Sequence, residues 1–149
     1  MGRALATLTL ALAAALAGCG GEDKLSVDEY RAQLRTICKD AERRSEGVRQ
    51  PTRATPEAIA DYLTRLRDVN ARTIERVERL EPPDELKGAH DRALEANRDG
   101  REKVDQVIDE LKAGGEPAKV LSDARDELQE SSAAAKRATR DVGVPECAS

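Results

Sequence analysis

The sequence predicts an all-α fold, an antiparallel up-down-up-down four-helix bundle closed by one disulfide. Apolar residues recur at spacings of three and four in four successive segments, which is the period of an amphipathic helix. Aromatic residues make up only 1% of the 149 residues, and this disfavours β-sandwiches and barrels. The segments between the four helices are short and contain Gly or Pro, so consecutive helices should lie antiparallel.

The first helix begins at Ser26, because Ser26 and Glu29 have the spacing of a capping box. The helix should end near Gly47. Its predicted apolar face consists of Tyr30, Leu34, Ile37, Cys38 and Ala41.

The second helix opens with Thr55 as its N-cap and Pro56 in its first turn. Pro82 and Pro83 end it, since proline disfavours helical geometry in the residue before it. Its predicted core side consists of Ile59, Tyr62, Leu63, Leu66, Val69, Thr73, Val77 and Leu80.

The third helix starts at Pro83, and the acidic Asp84 and Glu85 suit the positive end of its dipole. It should end at the Gly114-Gly115 pair. Its predicted core side consists of Leu86, His90, Ala93, Asn97, Gly100, Val104, Val107 and Leu111.

A single fourth helix is predicted from Glu116-Pro117 to Gly143, with Pro145 just beyond its end. Its predicted core side consists of Val120, Leu121, Ala124, Leu128, Ser131, Ala135, Ala138 and Val142. The alternative arrangement is a three-helix bundle with the first helix as a membrane-proximal stalk.

The start of the chain has the pattern of a cleaved signal peptide. Arg3 precedes an uncharged Ala- and Leu-rich stretch from Ala4 to Ala17, which is 14 residues long. This length fits the apolar region of about 7–15 residues in secretory signals and falls short of the roughly 20 residues that span a bilayer. Residues 1–18 are therefore predicted to be removed from the mature protein.

The four residues Leu16-Ala17-Gly18-Cys19 resemble the lipobox of bacterial lipoproteins. The resemblance implies cleavage between Gly18 and Cys19 and acylation of Cys19 with diacylglycerol, of which palmitate is a usual acyl chain. Residues 19–25 would form the lipid anchor and a flexible tether, and residues 26–149 the bundle. The expected location is extracytoplasmic, on the outer face of the cell membrane, with the outer membrane also open in a two-membrane bacterium.

Two further cysteines, Cys38 and Cys147, remain once Cys19 carries lipid. An exported protein meets an oxidising compartment, so this pair predicts a disulfide. Two buried free thiols are the alternative. Metal binding by the pair is disfavoured because no C-x-x-C motif or His cluster accompanies it.

The distribution of charged residues indicates which classes of partner the protein is expected to bind. Charged residues make up 36% of the chain, and the formal net charge is −4. Acidic and basic residues alternate along the helices, which is typical of solvated helix faces. Nucleic acid is not an expected partner, because its binding needs a basic stripe.

His90 is the only histidine, and it shares the predicted core side of the third helix with Asn97. These two residues are the candidate ligand-binding residues, with a structural histidine as the alternative. A di-iron bundle would need Glu-x-x-His, but Lys87 occupies the Glu position. Motifs for haem attachment, a nucleophile elbow or an EF-hand do not occur. The sequence therefore predicts no catalytic residues, no metal site and no cofactor, and hence no enzyme.

A second resemblance covers about a fifth of the mature chain. The segments are Leu80, Pro82-Pro83, Glu85-Leu86, Ala89-His90 and the ending from Gly143 to Ala148, and they resemble uncharacterised helical lipoproteins of actinobacteria. The resemblance implies fold and location but no activity.

The leading expectation is a lipid-anchored interaction module of the cell envelope that binds another envelope protein. Small residues from Ser131 to Ala135 would allow either close helix packing or a groove for a partner helix. The alternative is a small-molecule or metal-binding bundle that uses its interior near His90.

Overall fold

The fold is all-α, as predicted. The computed structural model describes residues 25–148, and the predicted lipidation and cleavage positions, Gly18 and Cys19, lie outside them. No strand occurs within that range. The elements are α1 (Val27–Glu46), α2 (Pro56–Glu78), the 3₁₀ helix η1 (Asp84–Leu86), α3 (Lys87–Lys112), α4 (Pro117–Asp123), α5 (Arg125–Val142) and the 3₁₀ helix η2 (Pro145–Ala148).

The predicted helix starts are confirmed at α1 and α2. The Ser26 hydroxyl accepts from the backbone N–H of Glu29, and the Glu29 carboxylate accepts from the backbone N–H of Ser26. Two backbone N–H groups at the start of the helix are therefore satisfied by side chains. At α2 the Thr55 hydroxyl accepts from the backbone N–H of Ala58, and Pro56 stands in the first turn.

Each long helix packs against the next one along the chain. The extensive contacts join α1 with α2, α2 with α3, and α3 with α5, and η2 contacts both α5 and α1. The disulfide between Cys38 and Cys147 is confirmed, with a Cα–Cα distance of 5.5 Å. It attaches η2 to the middle of α1.

The prediction of a single fourth helix is wrong, because the helix is interrupted at Ala124 between α4 and α5. Ser122 and Asp123, which favour caps and turns over helix interiors, precede the interruption. An acidic first turn then starts α5. Leu121, predicted to lie in the core, is 38% exposed, while Val120 takes the buried position on α4.

Most of the buried apolar residues of the described range form two clusters, not one continuous core. The first cluster lies at the start of α3, with Tyr30, Leu34, Leu86, Ala89, Val142 and Val144. The second lies at the end of α3, with Ala60, Val107, Ile108, Leu111 and Val120. The 26-residue helix α3 is thus packed at both ends and more open at its middle.

The predicted core side of α2 is only half-buried along its whole length. The fully buried residues of α2 are Ala60 and Ile74, which the prediction omitted. The reason is that the middle of this side, including Leu66 and Val69, faces a cleft and not another helix.

Gly143 ends α5 in the left-handed conformation, with φ of +89°. A Cβ at this position would lie 2.6 Å from the Arg31 guanidinium. The Arg31 Nε–H donates to the carbonyl of Val142 at 3.0 Å, so Arg31 of α1 caps the carbonyl end of α5. This close approach directs the chain from α5 into η2.

Candidate functional site

A cleft of about 800 Å³ opens between α1, α2 and α3 and reaches η2. We call it the central cleft. Its volume is within the range of about 300–1,000 Å³ that is usual for small-molecule sites. Most of its inner surface is apolar, and the principal apolar residues are Leu34, Leu66, Val69, Ile74, Val77, Leu94 and Val142. Five charged residues also line it: Arg35, Lys39, Glu42, Glu46 and Glu146.

Both candidate residues of the sequence, His90 and Asn97, line the central cleft. They lie two turns apart on α3, with Ala93 between them on the same face. His90 is 5% exposed, and Asn97 is half-buried. Their role in ligand binding stays a prediction, but the structure brings them to one wall of one cavity.

His90 is held by a residue of another helix. The Tyr30 hydroxyl lies 2.5 Å from His90 Nδ1, and the two rings meet edge to face with centroids 5.9 Å apart. Tyr30 is fully buried, at 0% exposure. A buried tyrosine hydroxyl usually finds a hydrogen-bond partner, and here the only histidine of the chain provides it.

The protonation states of this pair follow from its burial. Burial, together with the negative charge of Asp91, raises the pKa of Tyr30 to about 12, so its hydroxyl keeps its proton. Burial lowers the pKa of His90, against the opposing effects of Asp91 and Glu78. Desolvation disfavours the charged form of each group. Within residues 25–148 the Tyr30 hydroxyl has no second hydrogen-bond partner, so its proton is satisfied only by donation to the Nδ1 of a neutral His90, and this assigns the imidazole proton to Nε2.

Asn97 is anchored on its own helix. Its Nδ2 donates to the carbonyl of Ala93 at 2.7 Å, one turn earlier. This bond orients the amide beside the cleft wall. Since an amide also carries an acceptor oxygen, Asn97 adds a second polar point to a mostly apolar surface.

Ion pairs connect α1 to η2 and to α2, and the residues of the pair with η2 line the central cleft. Arg35 of α1 donates to the Glu146 carboxylate of η2 at 2.5 Å. A backbone hydrogen bond within Glu146 and the bond from Arg35 lower the pKa of that carboxyl. Further along α1, the Asp40 carboxylate accepts hydrogen bonds from Arg43 and from Arg76 of α2. These two bonds lower the pKa of Asp40. The two pairs therefore hold α1 against η2 and against α2.

The disulfide also belongs to this site, because Cys38 and Cys147 are among the residues that line the cleft. It fixes η2 against α1 at one end of the cavity. The C-terminal residues thereby form part of the wall, although they are remote in sequence from α1 and α2.

Sequence reasoning missed the pairing of Tyr30 with His90. Tyr30 was assigned only to the apolar face of the first helix. A usable signal was present, since the fold had to supply a partner for a buried tyrosine hydroxyl and His90 was the one histidine available.

A second concavity, which we call the α3–α5 groove, lies on another side of the molecule and measures about 860 Å³. Small residues, among them Ala96, Ser131 and Ala134, line it between two rows of charged residues. The two helices are close beside the groove, since a Cβ at Gly100 would lie 3.7 Å from the Ser131 Cβ, an ordinary van der Waals distance. The predicted close packing and the predicted groove thus occur together at these residues.

Within the described residues, no group of three or more His, Cys, Asp or Glu side chains is arranged to hold a metal ion. None of the helices there combines the length and the apolar character that a membrane-spanning segment needs. Comparisons of the chain with protein-family models, curated proteins and solved structures find no match.

Proposed function

We propose that the protein is a lipid-anchored extracytoplasmic binding protein that holds a small, largely apolar molecule in the central cleft. The observation that carries this proposal is the cleft itself, a cavity of about 800 Å³ beside the first core cluster with a mainly apolar inner surface and polar and charged side chains among its lining residues. This combination is typical of small-molecule sites. The proposal assigns binding and no catalytic step.

Aliphatic side chains on the cleft wall remain partly exposed to solvent, and this exposure lowers the stability of the unliganded protein. Leu66, Val69 and Leu94 are large aliphatic residues at helix positions that could have closed a continuous core, yet they remain half-buried. Each Å² of apolar surface that stays exposed forgoes about 25 cal/mol of the free energy that burial would contribute. A bound apolar molecule would recover this free energy by covering the same side chains.

The test uses a fluorescent apolar reporter, N-phenyl-1-naphthylamine, and two matched variants of the mature protein. Val69→Trp adds bulk inside the cleft, whereas Leu121→Trp adds the same side chain at an exposed site on α4. We expect the wild type and Leu121→Trp to bind the reporter and Val69→Trp to lose it, with all three equally helical by circular dichroism. Equal binding by both variants, or no binding by the wild type, would refute the proposal.

The proposed location rests on Leu16-Ala17-Gly18-Cys19, and the disulfide supports it because such bonds persist in oxidising compartments. The test is Cys19→Ser in a bacterial host. The wild type should fractionate with membranes and gain the mass of a diacylglycerol at Cys19, and the variant should do neither. A wild type found only in the soluble fraction would refute the anchor.

The proposal also includes the up-down-up-down topology, with α4 and α5 together as the fourth helix. Contacts between successive helices support it, and so does the bridge from η2 to α1. Distances between spin labels on exposed positions test it. For an antiparallel α1 and α2, labels at Glu46 and Glu57 should be close and labels at Asp28 and Glu57 far apart, while the reverse order would contradict the topology.

A second candidate function is docking of another envelope protein in the α3–α5 groove. The observation in its favour is that the groove has a floor of small residues between charged rows, the shape that a partner helix would fit. A photo-crosslinking residue at Ala134, within the groove, should capture a protein in intact cells. The same residue at the exposed Gln129, which does not line the groove, is the control. Equal labelling from both positions would contradict a specific site.

A further inference from the structure

We propose that the α3–α5 groove is the contact surface between two copies of this chain, which pack with their α5 helices antiparallel about a two-fold axis beside Ala134. The proposal names the occupant of the groove that was given above as a second candidate function, and it is independent of the central cleft. Three observations of the described residues carry it: the exposure of α5, the separation of charge along the groove, and the symmetry of that separation.

α5 has one extensive neighbour among the long helices. Within residues 25–148 its extensive contacts are with α3 and with the short η2, and α4 adds a few at its start. The charged residues of α5 that line the groove are exposed, namely Glu127, Glu130, Arg137, Arg140 and Asp141. A face of α5 that could pack against a further helix therefore remains on the surface.

Charge is separated along the groove. One half is mainly acidic, and its charged residues are Asp99, Glu102, Glu127, Glu130 and Lys103. The other half is mainly basic, and its charged residues are Arg92, Arg137, Arg140, Glu95 and Asp141. The approach of Gly100 to Ser131 places the carboxylates of the acidic half at one level of the two helices. The ion pair between Arg92 and Asp141, at 4.0 Å, lies in the opposite half.

This order of charges has no partner within the described part of the chain. Glu127 and Glu130 are three residues apart, and so are Arg137 and Arg140, so like charges are neighbours on the helix surface. None of the four takes part in an ion pair within residues 25–148. The helix dipole favours acidic groups in the first turn and basic groups in the last turn, which covers Glu127 and Arg140 but not Glu130 and Arg137.

The order becomes complementary when a second copy is rotated by half a turn about an axis perpendicular to α5. Glu130 and Arg137 lie equally far along the helix from the middle of the Ala133–Ala134 peptide, and the same holds for Glu127 and Arg140. A two-fold axis through that point opposes each glutamate to an arginine of the second copy, about 5 Å and about 10 Å from the axis. Such a contact is closed and produces a dimer.

The floor of the groove allows the two helices to approach. Its residues are small, and they are Ala96, Ser131, Ala134 and Ala138. The distance between packed helices depends on the side chains at the contact, and small side chains permit the closer distances. Backbones that approach in this way bring the opposed charged rows within reach of each other.

The first test is sedimentation velocity of the mature chain carrying Cys19→Ser, which removes the predicted lipid. We expect a monomer–dimer equilibrium whose dimer fraction falls when sodium chloride is raised from about 0.05 M to about 0.5 M, since salt screens the opposed charges. A chain that stays monomeric up to about 1 mM, or a dimer that is insensitive to salt, would overturn the proposal.

Two charge-reversed variants of the same chain locate the contact. Arg137→Glu with Arg140→Glu makes both halves of the α5 face acidic, and Glu127→Arg with Glu130→Arg makes both halves basic. Each variant alone should raise the dissociation constant of the dimer by at least about tenfold, because like charges then oppose each other. An equimolar mixture of the two should form a mixed dimer with about the affinity of the wild type.

The matched control is Arg65→Glu with Arg72→Glu, which changes the net charge by the same amount at exposed positions of α2 outside the groove. It should dimerise as the wild type does, and all variants should be equally helical by circular dichroism. The proposal is overturned by equal weakening in this control, by unchanged dimerisation of either charge-reversed variant alone, or by a mixture that stays monomeric.

A residue beside a two-fold axis lies next to its own counterpart. Ala134→Cys should therefore form an intermolecular disulfide under mild oxidation, and Gln129→Cys, at an exposed position outside the groove, should not. In the photo-crosslinking experiment at Ala134, the captured protein should be a second copy of this chain. Equal cross-linking of the two cysteine variants would overturn the inference. Capture of a different protein at Ala134 would also overturn it and would leave the groove as a docking site for that protein.

Discussion

Removal of the Cys38–Cys147 disulfide should lower the free energy of unfolding by several kcal/mol. The bridge joins residues 109 positions apart, so it restricts nearly the whole domain in the unfolded state. Chain-entropy arguments give about 5 kcal/mol for a loop of this length at 25 °C. The folded state depends on the same bond, because η2 connects α5 to α1.

The assay is urea denaturation of the wild type and of the double variant Cys38→Ser, Cys147→Ser, followed by circular dichroism. We expect the free energy of unfolding to fall by about 3–5 kcal/mol, since native strain and residual structure usually reduce the entropic value. Wild-type protein treated with a reducing agent is the control and should match the variant. Equal stability of the oxidised wild type and the variant would refute the reasoning.

Three further predictions address the residues around the cleft and the end of α5. Tyr30→Phe leaves the buried His90 Nδ1 without its donor, so urea denaturation should show a loss of about 1–3 kcal/mol; unchanged stability would contradict the bond. Because burial holds the pKa of His90 below its ordinary value of 6.5, the unfolded state binds the proton more readily. The contribution of neutral His90 to the free energy of unfolding is therefore complete above pH 6.5 and is lost as the pH falls through the lower pKa of the folded state. Urea denaturation at a series of pH values from 7.5 to 5 should show this decline in the wild type and not in His90→Gln. Gly143→Ala should lower the melting temperature, because left-handed backbone costs other residues about 1–2 kcal/mol and the new Cβ would meet Arg31. Gly100→Ala, with ordinary van der Waals space, is its control and should be neutral or stabilising.

Local signals in the sequence predicted the beginnings of α1 and α2 well, whereas the third helix, predicted from Pro83, begins as the 3₁₀ helix η1 and becomes α-helical at Lys87. The capping box of Ser26 and Glu29 lies within four consecutive residues, and the N-cap Thr55 is directly followed by Pro56. The number of cysteines likewise predicted the disulfide between Cys38 and Cys147, because only these two cysteines remained after Cys19 was assigned to the lipobox. Each of these features depends on few residues and on strong geometric preferences.

Periodicity was less informative about packing. It indicates which side of a helix turns inward, but not whether another element fills the space opposite that side. For α2 the predicted side does turn inward, yet Leu66 and Val69 meet a cavity while Ala60 and Ile74 become the buried contacts. Residues from α1, α2, α3, α5 and η2 together line the cavity, and this is a tertiary arrangement that no local pattern encodes.

The candidate site was half predicted. His90 and Asn97 were found because polar residues on an apolar helix face are conspicuous. Tyr30 was not recognised as the partner of His90, since it lies 60 residues from His90 and only the tertiary fold brings the two together. The interruption at Ala124 was also missed, because alanine is the residue most favourable to helix and gave no warning.

The divided core affects how freely the sequence can change. In a closely packed cluster, as at Leu111 with 0% exposure, shortening a side chain leaves a void and costs about 2–5 kcal/mol. A side chain on the wall of the central cleft, such as Leu66 or Leu94, already borders open space, so its replacement creates no new void. Mutations there alter the shape of the cavity at little expense to folding. The cleft wall is consequently the region in which binding preference can diverge while the helical framework stays the same.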